Sequence, residues 1–227
     1  QSAFKNYDYS AALLNISSKD ISLSNTNLLD RVISAVIVED IDLANKIASE
    51  ILIEDEVNQE ANIVKLVYLY SNKKFNKIKD IQEIFKDKNE LLDFIFFNNN
   101  ELKDNATISK SLVDIVVSSF SNAEQNSLNY NFLLFYTSLA KIIDNTNDRA
   151  TLIKGELFQN VEQPKVAENT FLKIKSSSPF YLEAQKSLAI NYSNFLSYDE
   201  ALKKIKILLQ NNNNHYALKK ILADFYR

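Results

Sequence analysis

The chain has 227 residues, 46% of them hydrophobic, enough to bury a continuous core in one large domain or two small ones. A single glycine (Gly155) and two prolines (Pro164, Pro179) leave almost none of the residues that tight hairpins and strand bulges need, so helices joined by polar loops are expected. The formal net charge of -3, from 26 basic and 29 acidic residues mixed along the whole length, offers no basic field to a phosphate backbone and argues against nucleic acid as a partner; the lack of cysteine excludes disulfides, thiolate metal sites and cysteine nucleophiles.

The chain opens on Gln1 and enters a helical pattern at once, so an upstream piece is expected to be missing from the sequence. Asp8-Tyr9-Ser10-Ala11-Ala12 has the form of a turn into a helix, which makes residues 1–20 the expected second half of a truncated repeat. From Asn25 to Asn58 the same turn recurs as Asp40-Ile41-Asp42-Leu43-Ala44, followed by Ala48 and Ile51 at helical spacing. It recurs again, after a repeat length of about 34 residues, as Lys74-Phe75-Asn76-Lys77-Ile78, preceded by Ala61, Leu66 and Leu69. Ile33, Val36, Ile37, Ile63, Val67 and Tyr70 share a face in this half that is either an apolar binding groove or core.

Between Lys86 and Asn147, apolar residues every three or four positions predict helices over Leu91 to Phe97, Ile108 to Phe120 and Leu128 to Ile143. Loops are expected at Asn98 to Asn105 and Ser121 to Asn126. No consensus is visible, and divergent helical hairpins are the expectation. No apolar run approaches the roughly 18 to 20 residues that span a bilayer.

From Asp148 onward the repeat is clear. Gly155 and Phe158, then Ala167, Phe171 and Pro179, fall in the order G-x2-Y, A-x3-F, P, with Phe for Tyr, which is the tetratricopeptide repeat (TPR) consensus. The next unit carries Ala189, Tyr192, Ala201 and Ile205; Ala184 follows Ala150, and Ala201 follows Ala167, each by that same repeat length. A third start is read at Ala217, Leu222 and Phe225, with Ala217 one position short of a full repeat after Ala184. Small residues at Gly155, Ala167, Ala189 and Ala201 belong where two helices of a hairpin cross most closely, with Phe158 and Tyr192 beside the crossings. Pro179, after Ser176, Ser177 and Ser178, is expected to end one helix and open the next. The fold class expected is therefore all-α, a TPR-like α-α superhelix, that is, a right-handed solenoid of antiparallel helical hairpins. It would be a single solenoid over 1–227, weakly phased over 1–86, divergent over 87–147 and well phased over 148–227, within a longer chain.

The stretch Phe171-Leu-Lys-Ile-Lys-Ser-Ser-Ser-Pro-Phe-Tyr-Leu-Glu-Ala-Gln-Lys-Ser-Leu-Ala, continuing to Tyr198-Asp-Glu-Ala, resembles a family of bacterial TPR proteins of alphaproteobacterial type. There a unit ending in I-x-x-x-S-P-Y-Y-x-E-A is followed by a helix and a D-E-A turn. The resemblance is close over 148–227 and loose elsewhere. It implies a mature envelope or periplasmic protein made with a signal sequence, and no catalytic residue, metal or cofactor.

The residues themselves propose no chemistry. His215, the only histidine, follows the Asn211 to Asn214 run with no second ligand beside it, and reads as loop. One glycine cannot build a phosphate loop. Carboxylate pairs such as Glu54 with Glu56 and Asp199 with Glu200 are placed at turns or helix starts, where negative charge suits the helix dipole. The expected function is a non-catalytic scaffold that binds a protein or peptide in the concave groove lined by each first helix; the alternative is an accessory repeat domain of a larger envelope enzyme or assembly complex. Register places Arg149, Leu152, Ile153, Glu156, Gln159, Asn160 and Gln163 in that groove, and one repeat on, Glu183, Lys186, Ser187, Ile190, Ser193, Asn194 and Ser197. Asn160 and Asn194 are equivalent, and their amides suit the backbone of an extended peptide. Ile153, Glu156 and Ile190 stand where a lysine and asparagine carboxylate clamp would need other residues.

Overall fold

Helices begin where a short polar side chain can accept a bond from an otherwise orphaned amide. Asp40, Asn58 and Asn89 do this for the amides of Leu43, Ala61 and Leu92 at 3.0, 3.1 and 3.1 Å, each cap being worth about 1 kcal/mol. The computed structural model describes residues 6–9, 25–85, 89–98, 101–122, 128–212 and 214–226. The helix expected over residues 1–20 lies almost wholly outside them. Contacts divide the chain into two compact units, Gln1–Asn147 and Asp148–Arg227, so the boundary falls where the well-phased repeats begin.

In the first unit, α1 (Asn25–Ile37), α2 (Ile41–Glu54), α3 (Gln59–Ser71) and α4 (Phe75–Phe85) pack each on the next. A short α5 (Glu90–Phe96) leads into two-residue strands β1 (Phe97–Asn98) and β2 (Glu101–Leu102), antiparallel with Phe97 opposite Leu102. A small hairpin thus replaces much of the loop expected at Asn98 to Asn105, and α6 (Asn105–Asn122) starts at the end of it. Helix α7 (Tyr130–Ile143) pairs with α6 and also packs on α1 and α3. That packing settles the apolar face of this half: Ile33, Val36, Ile37, Ile63, Val67 and Tyr70 are all buried, so they are core and the groove alternative is excluded. Leu133, Leu134, Phe135, Leu139 and Ala140 of α7 are buried as well, and Tyr136 lies near Gln59 and Glu60 of α3. Burial first, then the Glu60 charge, pushes the Tyr136 hydroxyl up to about 12.

The turns between first and second helices share one device. The amides of Asp40 and Glu39 reach back to the carbonyls of Ala35 and Val36 at 2.9 and 2.9 Å; those of Lys74 and Lys73 reach Leu69 and Tyr70 at 2.8 and 3.0 Å; those of Gln163 and Glu162 reach Phe158 and Gln159 at 2.8 and 3.1 Å. This pair of bonds is the Schellman motif, and it needs a left-handed residue. Glu39, Lys73 and Glu162 supply it with φ of 67°, 55° and 58°. Tyr7, at φ 59°, stands just before Asp8, at the same place relative to the turn read there. After each turn the position of Ala44, Ile78, Ala167 and Ala201 is fully buried.

The second unit holds α8 (Asp148–Asn160), α9 (Pro164–Phe171), α10 (Tyr181–Phe195), α11 (Tyr198–Asn211) and α12 (Tyr216–Phe225), each packed on its successor, with α8 also on α10 and α10 on α12. That is the hairpin stack of a TPR, and the chain is all-α and TPR-like. Gly155 is where α8 and α9 meet: a Cβ added there would lie 2.4 Å from Phe171 Cε1. Phe158 and Tyr192 are buried beside the crossings. Glu168 of α9 accepts from the Tyr192 hydroxyl at 2.9 Å and pairs with Lys204 of α11 at 2.6 Å, and the Lys204 ammonium lies 4.5 Å from the centre of the Tyr192 ring, so three helices share one polar contact.

The structure corrects three expectations. The helix before Pro179 ends at Phe171, and Pro179 sits in the turn two residues ahead of α10; Pro164, at the first turn of α9, is the proline that opens a helix. The third start has its register at Leu218, not Ala217: Leu218 is fully buried, as are Ala150 and Ala184, and the three stand one full repeat apart, whereas Ala217 is half-buried. Glu54 ends α2, where a negative charge opposes the helix dipole; Asp199 and Glu200 do occupy a first turn, and Ser197 donates to Glu200 at 2.8 Å.

Candidate protein-binding face

Phe171 covers Gly155, so its contact fixes which side of α8 is turned toward α9, and the first-helix stripe read from the sequence runs beside that contact. The residues expected on that stripe fall into three groups. Asn160, Glu183, Lys186, Asn194 and Ser197 are exposed, and Arg149, Ile153, Glu156, Gln159, Gln163, Ile190 and Ser193 are half-buried. Leu152 and Ser187 are buried and belong to the packing between helices. The two asparagines stand at the last residue of α8 and the next-to-last of α10, which puts matching amides at the same end of successive first helices.

The fold brings Glu156 into a group with the start of α10. Its Oε1 accepts from Ser187 Oγ at 3.2 Å. Burial raises the Glu156 carboxyl above its ordinary range, the Ser187 bond and the Lys186 charge pull it down, and the Glu183 charge pushes it up. Gln159 and Ile190 are not joined to this group by any bond or charge described. The sequence places all four members of the group on one stripe but gives no sign that Glu156 is the one the neighbouring helix partly encloses.

The corrected register extends the stripe onto α12. Lys220 there stands one full repeat after Lys186 and is exposed. His215, read as loop, holds its ring against the Leu182 carbonyl at 2.7 Å and precedes α12, which ties the turn to the start of α10. Asn191, also unremarked in the sequence, is buried and donates to the Pro164 carbonyl at 3.0 Å.

The first unit has an open cavity of about 770 Å³ that no sequence pattern announces, among Leu91, Phe94, Ile115, Leu128, Phe132 and Leu133 with Asp114 and Asn129 at polar points. Among the described residues no group of three or more histidine, cysteine, aspartate or glutamate side chains is placed to hold a metal, and no helix is long and apolar enough to cross a membrane.

No family model and no curated protein matches the chain. Among solved structures it is similar to TTC0263, a thermophilic TPR protein of Thermus thermophilus: 15% of residues are identical, the match covers 89% of this chain and 99% of that one, and the TM-score is 0.39.

Proposed function

We propose that the chain is a non-catalytic scaffold that holds an extended segment of a partner protein along the first-helix stripe of α8 and α10. The supporting observation is the pair Asn160 and Asn194, exposed and equivalent on successive first helices, so that one amide per repeat can both donate to and accept from a peptide backbone. Stacked helical hairpins offer such a stripe as a continuous surface, while the corresponding face of the first unit is filled by α7. The segment bound is therefore assigned to the second unit. An envelope or periplasmic location belongs to the same proposal and rests on the family resemblance of residues 148–227; fractionation of the source cells tests it, and recovery in the cytoplasm would remove it.

The test is a pull-down with the parent chain and with the double substitution Asn160→Ala, Asn194→Ala. Both residues are exposed, so the fold should keep its melting temperature while partner recovery drops by about tenfold, a loss of about 1.4 kcal/mol. Unchanged recovery would remove the pair from the site.

A further inference from the structure

A second concave surface lies in the first unit, where α2, α3 and the start of α4 meet. A cavity of about 420 Å³ there is walled by Tyr68 with the buried Leu69 and Ile81, and Lys65, Lys74 and Lys77 bring three positive charges to it against one negative, Asp80. Helix α2 faces it with the uncharged Asn45 and Ser49, and none of that helix's acidic residues lines it. A smaller cavity of about 310 Å³ shares Lys74 and Lys77 and adds Lys73, so the positive surface continues around the turn between α3 and α4. Lys74 is held in place rather than neutralised: its ammonium donates to the Tyr68 hydroxyl at 3.4 Å and lies 5.0 Å from the centre of that ring. Among the described residues none of these four lysines closes an ion pair, whereas Lys204 in the second unit is matched by Glu168.

Fold stability does not call for this arrangement. Lys73, Lys74 and Lys77 crowd the N-terminal end of α4, where the helix dipole is already positive and the first turn holds no acidic residue. A cleft lined mainly by one sign of charge, with apolar walls, focuses the field and draws in the opposite charge. The chain as a whole carries a net charge of -3, so an acidic partner is drawn to this cleft and not to the surface at large. A lysine ammonium is a compact charge on a flexible stem and imposes little geometry, which suits several carboxylates along a chain better than one anion gripped at a fixed angle. We propose that this cleft is a second interaction surface and that it takes an acidic segment of a partner protein, with several aspartates or glutamates in succession. The inference is independent of the peptide-binding role proposed for the second unit, with which it shares no residue.

Fluorescence anisotropy with the full chain and a labelled peptide of about eight glutamates tests the proposal at about 50 mM salt, beside a serine peptide and a uridine oligonucleotide of matching length. The expected result is saturable binding of the glutamate peptide alone, weakening as salt is raised. Lys65→Gln, Lys74→Gln and Lys77→Gln together should weaken it at least about tenfold, while Lys203→Gln, Lys206→Gln and Lys219→Gln together, which remove the same charge from the second unit, should change it by no more than about twofold. Asp80→Asn should tighten binding, since it removes the negative charge from the lining. If the triple variant of the cleft does not fold, Lys73→Gln with Lys77→Gln, both at exposed positions, decides by the same comparison. Equal losses in the two triple variants overturn the inference, as does the absence of saturable binding. Tighter binding of the oligonucleotide, lost with the cleft lysines, overturns a protein segment as the occupant. Asn160→Ala with Asn194→Ala should leave glutamate-peptide binding unchanged, so the two proposals stand or fall separately.

Discussion

Gly155 carries the tightest steric constraint described in the second unit. In an open helix, alanine would be favoured over glycine by about 1 kcal/mol, yet here its methyl would meet the ring of Phe171. Overpacking of this kind costs about 1–3 kcal/mol, more than the propensity gain. Gly155→Ala should therefore lower the melting temperature, and adding Phe171→Leu should recover part of the loss; a more stable alanine variant would show that the helices can separate freely. Glu156 gives a prediction with a sign in pH. Its folded-state pKa is raised, so the folded chain holds the proton more tightly than the unfolded chain, and stability falls as pH rises from the unfolded value through the folded one. Glu156→Gln removes that loss: it should melt higher than the parent at pH 7, with the difference closing toward pH 4, and a constant difference across that range would contradict it. Gly155 was legible because only the smallest residue fits a helix crossing. The enclosure of Glu156 was not, because it depends on Ser187, far along the chain on another helix, whose spacing looks like that of any other helical serine.

Among the elements, the inter-helix turns show how a strained backbone is kept by its surroundings. Glu39, Lys73 and Glu162 hold a left-handed conformation that disfavours side chains by about 1–2 kcal/mol, and each is fixed by a pair of backward amide bonds. Lys73 is exposed, so Lys73→Gly should relieve strain without removing packing and raise the melting temperature, by an amount corresponding to about 0.5–1 kcal/mol in a denaturant titration. No gain would mean that the lysine side chain stabilises the turn by as much as it strains it. The sequence reveals these turns only through the apolar position of the next helix, at Ala44, Ile78 and Ala167, because the glycine that usually marks such a turn is absent from it. The packing of α7 on α1 and α3 was illegible for a different reason. Its apolar periodicity shows that it has a buried face but cannot say which helices bury it, and a repeat pattern upstream suggests stacking in sequence order.

At the scale of the molecule, the hairpin pattern was readable wherever each helix packs on its neighbours in the chain, and failed wherever a helix reaches further. The register of α12 was misread because Ala217 looks like the next member of the alanine series of Ala150 and Ala184, while the structure buries Leu218 instead. Counting from Leu218, Ala223 and Tyr226 match Ala189 and Tyr192, yet Ala223 is exposed and Tyr226 is 58% exposed where Tyr192 is 5%. The end of the last described helix thus exposes two positions that the preceding repeat buries. Read as engineering, that surface is a connector: a second copy of residues 194–227 joined after Arg227 continues the phase of the repeat and gives α12 a helix to pair with. The lengthened chain should melt higher than the parent, with Tyr226 shielded from solvent quenchers. A modular array of this kind grows by duplication of one segment, and its length can change without altering the unit that repeats.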